Sequence, residues 1–243
     1  MSIKAIFQRE LQSYFSTPIA YVFIVIFLLL TGMVTFYFGQ FFYRGQADLI
    51  PFFSFHPWIY IIFIPAITMR LWAEERKSGT IELLFTLPLT TAHIVIGKFL
   101  AAWLVTLVSL ILTMPIWLCV NYLGEPDNGV IFAGYVGSLL MAGGFLSIGA
   151  FISALTKNQV IAFVLTVLAC LLINLSGFPM VTEILNNWLP AVIVETIGSF
   201  SFIYNFDVIT KGLIDVKSLC FFASLIVFSL YANSILIEAN KAD

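Results

Sequence analysis

The chain alternates between long uncharged stretches and short polar segments. Six stretches contain no Asp, Glu, Lys or Arg: 11–43, 49–69, 99–123, 130–156, 158–182 and 218–237. A helix crosses the hydrocarbon core of a bilayer in about 20 residues, so each stretch is long enough to span it. Because lipid offers no partners for free backbone amides, we predict helices rather than open strands.

This pattern predicts an all-α polytopic membrane protein that forms a single domain over residues 1–243. The composition agrees, because 61% of the residues are hydrophobic, against about 45–50% in soluble domains. No internal repeat or low-complexity segment divides the chain. The six transmembrane helices are predicted near 19–41, 54–72, 95–121, 131–155, 159–175 and 219–237.

A polar leader precedes the first apolar stretch. Residues 3–16 place Ile3 and Ile6 opposite Gln8 and Gln12 at helical spacing, next to the charged residues Lys4 and Arg9. Such an amphipathic helix lies in the plane of the membrane interface. We therefore predict an N-terminal interfacial helix.

The orientation follows from the placement of Lys and Arg, which accumulate on the cytoplasmic side of membrane proteins. If the N-terminus is inside, eight of the 11 Lys and Arg residues face the cytoplasm. The three on the outer face are Arg44, Lys211 and Lys217. Both termini are predicted to be cytoplasmic.

One polar segment stands out between the second and third spans. Residues 70–98, here called the charged segment, hold seven of the 24 charged residues (11 Lys and Arg plus 13 Asp and Glu). Glu74, Glu75, Arg76 and Lys77 are predicted to continue the second span as helix into the cytoplasm. The alternative is a plain solvated turn.

The rest of the charged segment predicts a second, shorter helix. Gly79 can end the first helix, because glycine adopts the left-handed conformation easily, and Thr80 can cap the next one. That helix would run through Ile81–Phe85 with Glu82 facing water, and Pro88 would end it. A rigid cytoplasmic element of this kind can transmit force from a docked partner.

The external loop at 176–217 is too polar to span the membrane but is rich in aromatic and aliphatic residues. Pro190 divides it into two predicted short helices, 180–189 and 191–199. They are expected to lie on or dip into the outer membrane surface, followed by an interfacial segment near 201–212. An ordinary loop with aromatic anchors is the alternative.

No catalytic, cofactor-binding or metal residues are predicted. The chain has no GxxxxGK[ST] motif for ATP phosphates. His56 and His93 fall at opposite membrane faces, each as an interfacial residue, and the three Cys residues show no CxxC spacing. No Asp, Glu, Lys or Arg lies in the middle of a predicted span, where ion-coupled carriers and proton relays usually need one. The energy source is therefore expected on another chain.

The segment PAITMRLWAEERKSGTIELLFTLPLTTAHIVIGKFLA (65–101) resembles the signature segment of ABC-2-type transporter permeases, particularly the branch of the gliding-motility permease GldF. DLIPFFSFHPWIYIIF (48–63) and NFDVITKGLIDVKSL (205–219) are similar to the same branch. The resemblance covers nearly the whole chain, and the E-R-K-S-G-T-I-E run is its most specific part.

This resemblance implies a type V exporter-like fold with six spans per subunit, external re-entrant helices and a cytoplasmic coupling helix. It also implies two P-loop ATPase subunits, which hold the ATP and Mg, and a second permease subunit, identical or related. A bacterial inner (cytoplasmic) membrane is the implied location, with membrane lipid but no nucleic acid as a further partner. The implied ATPase-coupling residues are Glu74, Glu75, Arg76, Lys77, Gly79, Thr80 and Glu82.

The leading hypothesis is a permease subunit that moves a substrate with energy from ATP hydrolysed by a separate chain. A lipid-like or amphipathic substrate is expected, because the spans are apolar with mild hydroxyl groups and many Phe residues, and the resemblance implies export as the direction. One alternative is a membrane anchor or assembly subunit of a motility or secretion complex that transports nothing. A membrane-embedded enzyme is the third hypothesis, and the sequence offers no nucleophile–base or metal constellation for it.

Overall fold

The computed structural model describes residues 3–85, 90–213 and 215–242, and within these ranges every regular element is a helix. The helices are α1 (Ile3–Ser16), α2 (Ile19–Met33, with a π-helical extension over Val34–Phe38), α3 (Ile50–Ser54), α4 (His56–Thr68), α5 (Ala73–Ser78), α6 (Thr80–Phe85), α7 (Thr91–Ile111), α8 (Met114–Leu123), α9 (Asn128–Leu155), α10 (Gln159–Leu175), α11 (Pro179–Asn186), α12 (Ala191–Ser199), α13 (Phe202–Thr210) and α14 (Val216–Ala242).

Side-chain caps mark the starts of three long helices. Thr90 accepts a hydrogen bond from the His93 amide at the start of α7. Asp127 and Asn158 do the same for the first turns of α9 and α10. Each cap supplies a partner to a backbone amide that has none inside its helix, so these residues define where the apolar helices begin.

Four helical segments are long and apolar enough to cross a membrane: Ile19–Phe38, Thr91–Leu123, Asn128–Leu155 and Val216–Ala239. They coincide with the predicted spans at 19–41, 95–121, 131–155 and 219–237. The second of them combines α7 and α8, which meet at Leu112 and Thr113 where Pro115 begins the new helix. The chain is a multi-pass membrane protein.

The other two predicted spans differ from a simple transmembrane helix. For the span at 54–72, the structure has α4, whose 13 residues reach only about 20 Å. The span at 159–175 is α10, which qualifies only together with α11, and those two helices are bent by 70°. A second bent pair, α12 and α13, brings the possible number to six. The six-span arrangement itself stays a prediction.

Helix α9 occupies the centre of the molecule. It packs against α4, α7, α10, α13 and α14, and most of its side chains are buried on every face. Its many Gly, Ala and Ser residues let neighbouring helices approach closely, as in other membrane bundles. Phe145 anchors one such contact, because its ring stacks on that of Phe202 in α13 with centroids 4.3 Å apart.

The segment predicted to be interfacial, 201–212, folds mostly as α13, which has one buried face, and its position at the interface stays a prediction. Phe202, Asn205, Phe206 and Ile209 of α13 are buried, and the helix packs on α9. The reason is the spacing of the apolar residues, which puts them on one face at positions i, i+4 and i+7. The Asn205 amide donates to the carbonyl oxygens of Ser199 and Ser201, so its polar group is satisfied inside the bundle.

His56, which was predicted as an interfacial residue, is buried inside the bundle. Its side chain is fully inaccessible and is surrounded by aromatic rings that include Phe27, Phe52 and Phe53. The Nδ1 atom lies 2.9 Å from the Phe52 carbonyl oxygen. Helix α3, which directly precedes α4, supplies two of these rings and so contributes to the burial of His56.

The stack on α9 predicts a large packing contribution from Phe202. Replacing Phe202 with Ala should lower the free energy of unfolding by about 3 kcal/mol, because the cavity would open in a close-packed interior. The matched control is Phe200→Ala, since Phe200 is 61% exposed and Phe202 is fully buried. Unfolding of the purified chain in detergent measures both. Equal losses for the two variants would contradict the buried position of α13.

Candidate functional site

The charged segment folds as two short helices joined at one glycine. Helix α5 ends at Gly79, whose φ of 72° lies in the left-handed region, where a side chain would be strained. Helix α6 starts at Thr80, and the Ser78 and Thr80 hydroxyls lie 2.8 Å apart across the joint. The predicted break at Gly79 is confirmed. Pro88 lies outside the described residues.

The predicted continuation of the second span into α5 is wrong. Helix α4 ends at Thr68, and a turn over residues 69–72 separates it from α5. The physical cause is Ser153 of α9. Its Oγ accepts hydrogen bonds from the amides of Trp72 and Ala73, both at 3.2 Å, and donates to the Met69 carbonyl at 3.2 Å. The turn is thereby fixed to the end of α9.

Arg76 forms the second connection between α5 and α9. Its guanidinium donates to the carbonyl oxygen of Ala154, one residue before α9 ends. Carbonyl groups in the last turn of a helix have no partner inside the helix and carry the negative end of its dipole. A cationic donor is therefore well placed there, and it holds α5 close to the end of α9.

Lys98 connects the charged segment to two further helices. Its side chain is only 3% exposed, and its Nζ lies 2.9 Å from Glu75 Oε1 and 3.2 Å from Glu10 Oε1. The same atom lies 5.2 Å from the centroid of the Trp72 ring. Removing an ammonium group from water is costly unless it is paired, so these carboxylates are what allow Lys98 to be buried.

Arg9 forms further ion pairs with the same two carboxylates, on the side that faces solvent. Its Nη2 lies 2.7 Å from Glu10 Oε1 and 3.5 Å from Glu75 Oε1. Helix α1 can approach α7 this closely because of Gly97, where a Cβ would lie 2.8 Å from Ile6 Cγ2. The cluster of Arg9, Glu10, Glu75 and Lys98, called the ion-pair cluster below, therefore joins α1, α5 and α7.

The surrounding charges determine the protonation of Glu10. Burial by itself raises the pKa of this carboxyl, but the nearby charges of Lys98 and Arg9 outweigh it, and the net pKa is below the usual 4.5. Tyr14, one turn further along α1, has its pKa raised, mainly by burial. Glu10 is therefore ionised and Tyr14 neutral at neutral pH.

A cavity of about 640 Å³ opens beside the ion-pair cluster, between α1 and α5. Arg70 and Glu74 form part of its wall and pair with each other at 3.1 Å. The wall carries charges of both signs, which suits a partner protein surface better than a single small ion. Within the described residues, no group of three or more His, Cys, Asp or Glu side chains could hold a metal.

The seven predicted coupling residues divide into two sets. Two of them, Glu75 and Arg76, turn inward and hold the bundle. The other five are exposed: Glu74, Lys77, Gly79, Thr80 and Glu82. Their role in coupling stays a prediction.

The sequence analysis missed the contribution of Glu10 and treated Lys98 only as a cytoplasmic charge. A signal for Glu10 was available. Glu10 follows Ile6 by four residues and Phe7 by three, so Glu10 shares the apolar face of α1. An acidic residue on such a face indicates a buried cationic partner.

Comparison with known families gives one match. A family model described as "ABC-2 family transporter protein" matches residues 44–236, which is more than half of the chain. The match includes the charged segment and α9 but begins after α1. No curated protein matches the chain.

Loss of the buried cation should destabilise the protein. In Lys98→Met, Glu10 and Glu75 would remain mostly buried without their partner, and the free energy of unfolding should fall by about 3 kcal/mol. Lys157→Met is the matched control, because Lys157 is exposed and a surface change of this kind has an effect within about 0.5 kcal/mol. Unfolding in detergent compares them. Equal stability of the two variants would contradict the proposed role of Lys98.

The lowered pKa of Glu10 predicts a pH dependence. Because the folded chain binds this proton less tightly than the unfolded chain, Glu10 contributes stability above pH 4.5, and the contribution is lost as the pH falls through the folded pKa. The stability difference between the wild type and Glu10→Gln should therefore be full at pH 7 and shrink below pH 4.5. A difference that stayed constant down to pH 3 would contradict this electrostatic account.

Proposed function

Because the chain belongs to the ABC-2 transporter family and is an ABC transporter permease, we propose that α5 and α6 couple it to ATP hydrolysis on a separate chain. The observation that carries this proposal is the division of the charged segment. Its outward side chains are exposed where a partner could bind, and its inward side chains attach to three helices of the bundle.

The attachment suits the transmission of force. A partner that displaces α6 would move α5 through the short joint at Gly79. Helix α5 would then carry α1 and α7 with it through the ion-pair cluster, and α9 through Ser153 and Arg76. Since α9 also packs against α4, α7, α10, α13 and α14, a shift at its end would reach most of the bundle. Rigid-body movement of this kind is a common means of switching between two states.

We propose two P-loop ATPase subunits as the partners, with ATP and Mg bound to them, and a second permease subunit, identical or related. The excess of Lys and Arg on the α5 side supports a cytoplasmic location for α5, α6 and both termini. We place the protein in a bacterial inner membrane. Residues 48–63 and 205–219 support assignment to the GldF-like branch.

For the substrate we propose a lipid-like or amphipathic molecule that is exported. Helices α11 and α12 form the hairpin around Pro190 that the sequence predicts, at the end of the bundle opposite α5. Several apolar side chains of this hairpin point outward, and Trp188 is 84% exposed. Exposed aromatic groups of this kind favour contact with the headgroup region of a bilayer.

The coupling proposal predicts that Glu82→Lys separates the permease from its ATPase. The affinity-tagged full chain would be purified from its native membrane, and the ATP hydrolysis and the P-loop subunit that accompany it would be measured. Reversal of an exposed charge at a docking surface should reduce both by about tenfold, since like charges across an interface cost several kcal/mol. The variant should still be inserted in the membrane, because Glu82 is exposed.

Glu125→Lys is the matched control. It reverses the same charge at an exposed position of the loop between α8 and α9, at the opposite end of the bundle. The coupling proposal fails if the two variants retain equal amounts of ATPase. If a P-loop subunit binds but reconstituted liposomes never show ATP-dependent movement of any lipid-like substrate, the assembly-subunit hypothesis replaces the transport function.

A further inference from the structure

A second cavity, of about 400 Å³, lies on the other side of α1, where that helix crosses α7. Its floor is formed by side chains one helical turn apart on α7, and the first turns of α1 form its rim. The residues that define this groove are Lys4, Phe7, Leu100, Trp103, Leu104 and Leu107. Apart from the single ammonium group of Lys4, these side chains are apolar or aromatic.

The floor of the groove is a fixed surface. Leu100, Leu104 and Leu107 share one face of α7 at positions i, i+4 and i+7, and all three are half-buried. The Trp103 indole is held between them, because its Nε1 donates to the Leu139 carbonyl oxygen of α9 at 2.9 Å. From Leu100 to Leu107 the groove extends about 10 Å along the helix axis. It therefore leads from the end of α7 near the ion-pair cluster towards the middle of a membrane-spanning segment.

The rim of the groove carries one positive charge that has no acidic partner within the described residues. Lys4 is exposed, and no carboxylate in the described part of the chain forms an ion pair with it. This distinguishes it from Arg9 and Lys98, which both have acidic partners. A basic side chain above an apolar groove is complementary to a molecule with a negative head and a hydrocarbon tail.

We propose that this groove binds an anionic phospholipid from the leaflet next to α1. One acyl chain lies on Leu100, Leu104 and Leu107, and the phosphate group is held by Lys4. A second copy of this chain fits less well, because its contact would remove the unpaired Lys4 ammonium from water. The site is distinct from the ATPase-coupling surface, and its existence does not depend on that proposal.

The experiment measures lipid binding to the purified full chain in a neutral detergent by native mass spectrometry. Phosphatidylglycerol and phosphatidylcholine with the same acyl chains are the probes. The wild type should prefer phosphatidylglycerol, and Lys4→Gln should reduce that preference about fivefold, which corresponds to ~1 kcal/mol for one basic group at an anionic lipid surface. Lys4→Arg should keep the preference. Leu104→Trp should weaken binding of both lipids by filling the groove.

Lys157→Gln is the matched control, because it removes an exposed lysine that lies outside the groove. The proposal is overturned if Lys4→Gln leaves the preference unchanged, or if Lys157→Gln reduces it equally. Displacement of the lipid by millimolar inorganic phosphate would also overturn it, since the acyl chain would then contribute nothing. A dimer fraction that depends on Lys4 while lipid binding does not would assign the groove to a second copy. Lys4→Gln should fold normally because its side chain is exposed.

Discussion

The buried ammonium group of Lys98 is the interaction on which the arrangement around the charged segment depends. A lysine on an apolar helix can be removed from water only where carboxylates replace its hydration. Glu75 and Glu10 do so from two segments far apart in the chain. If either carboxylate moved away, the remaining charges would lose a partner in an apolar environment. The ion pairs therefore hold α1, α5 and α7 in one relative position. Gly97 has no side chain and so lets α1 lie close to α7, and Lys98, the next residue, supplies the positive charge that pairs with α1 and α5.

One side of helix α5 contacts the bundle, and the other side faces solvent. Successive residues of a helix are rotated by about 100°, so four consecutive charged residues cannot all face the same way. Glu74 and Lys77 are exposed, and Glu75 and Arg76 between them contact α7, α1 and α9. The dense run of charge therefore has two functions in one turn of helix. Part of it anchors the segment, and part remains available to a partner.

The sequence predicted the features that depend on local pattern. Four spans, the break at Gly79 and the helices on either side of Pro190 follow from apolar length and from turn residues. It could not predict that α9 covers the apolar face of α13, because that depends on contact between Phe202 and Phe145, residues 57 positions apart. Nor could it predict the end of α4, which is determined by the hydroxyl of Ser153 about 80 residues later.

For the candidate site, too, the sequence predicted what depends on local pattern and not what depends on long-range contacts. Hydropathy located the charged segment but could not separate its inward residues from its outward ones, because both kinds are equally polar. Separation required the position of Lys98, which becomes a partner of Glu75 only when α7 packs beside α5. The burial of Glu10 could not be predicted for a related reason, since the cation that makes it possible lies 88 residues further along the chain.

The positions of the helix breaks indicate where the bundle can bend. The π-helical turn of α2, the break at Phe55 between α3 and α4, the joint between α7 and α8, and both bent helix pairs lie towards the end opposite α5. Interrupted helices have fewer backbone hydrogen bonds at the break and bend there more easily. At the α5 end, by contrast, the break at residues 69–72 is fixed by Ser153, and the ion-pair cluster holds α1, α5 and α7 together. A displacement applied to α6 would therefore be carried by the fixed end as a unit, and the conformational change would be taken up where the helices are already interrupted.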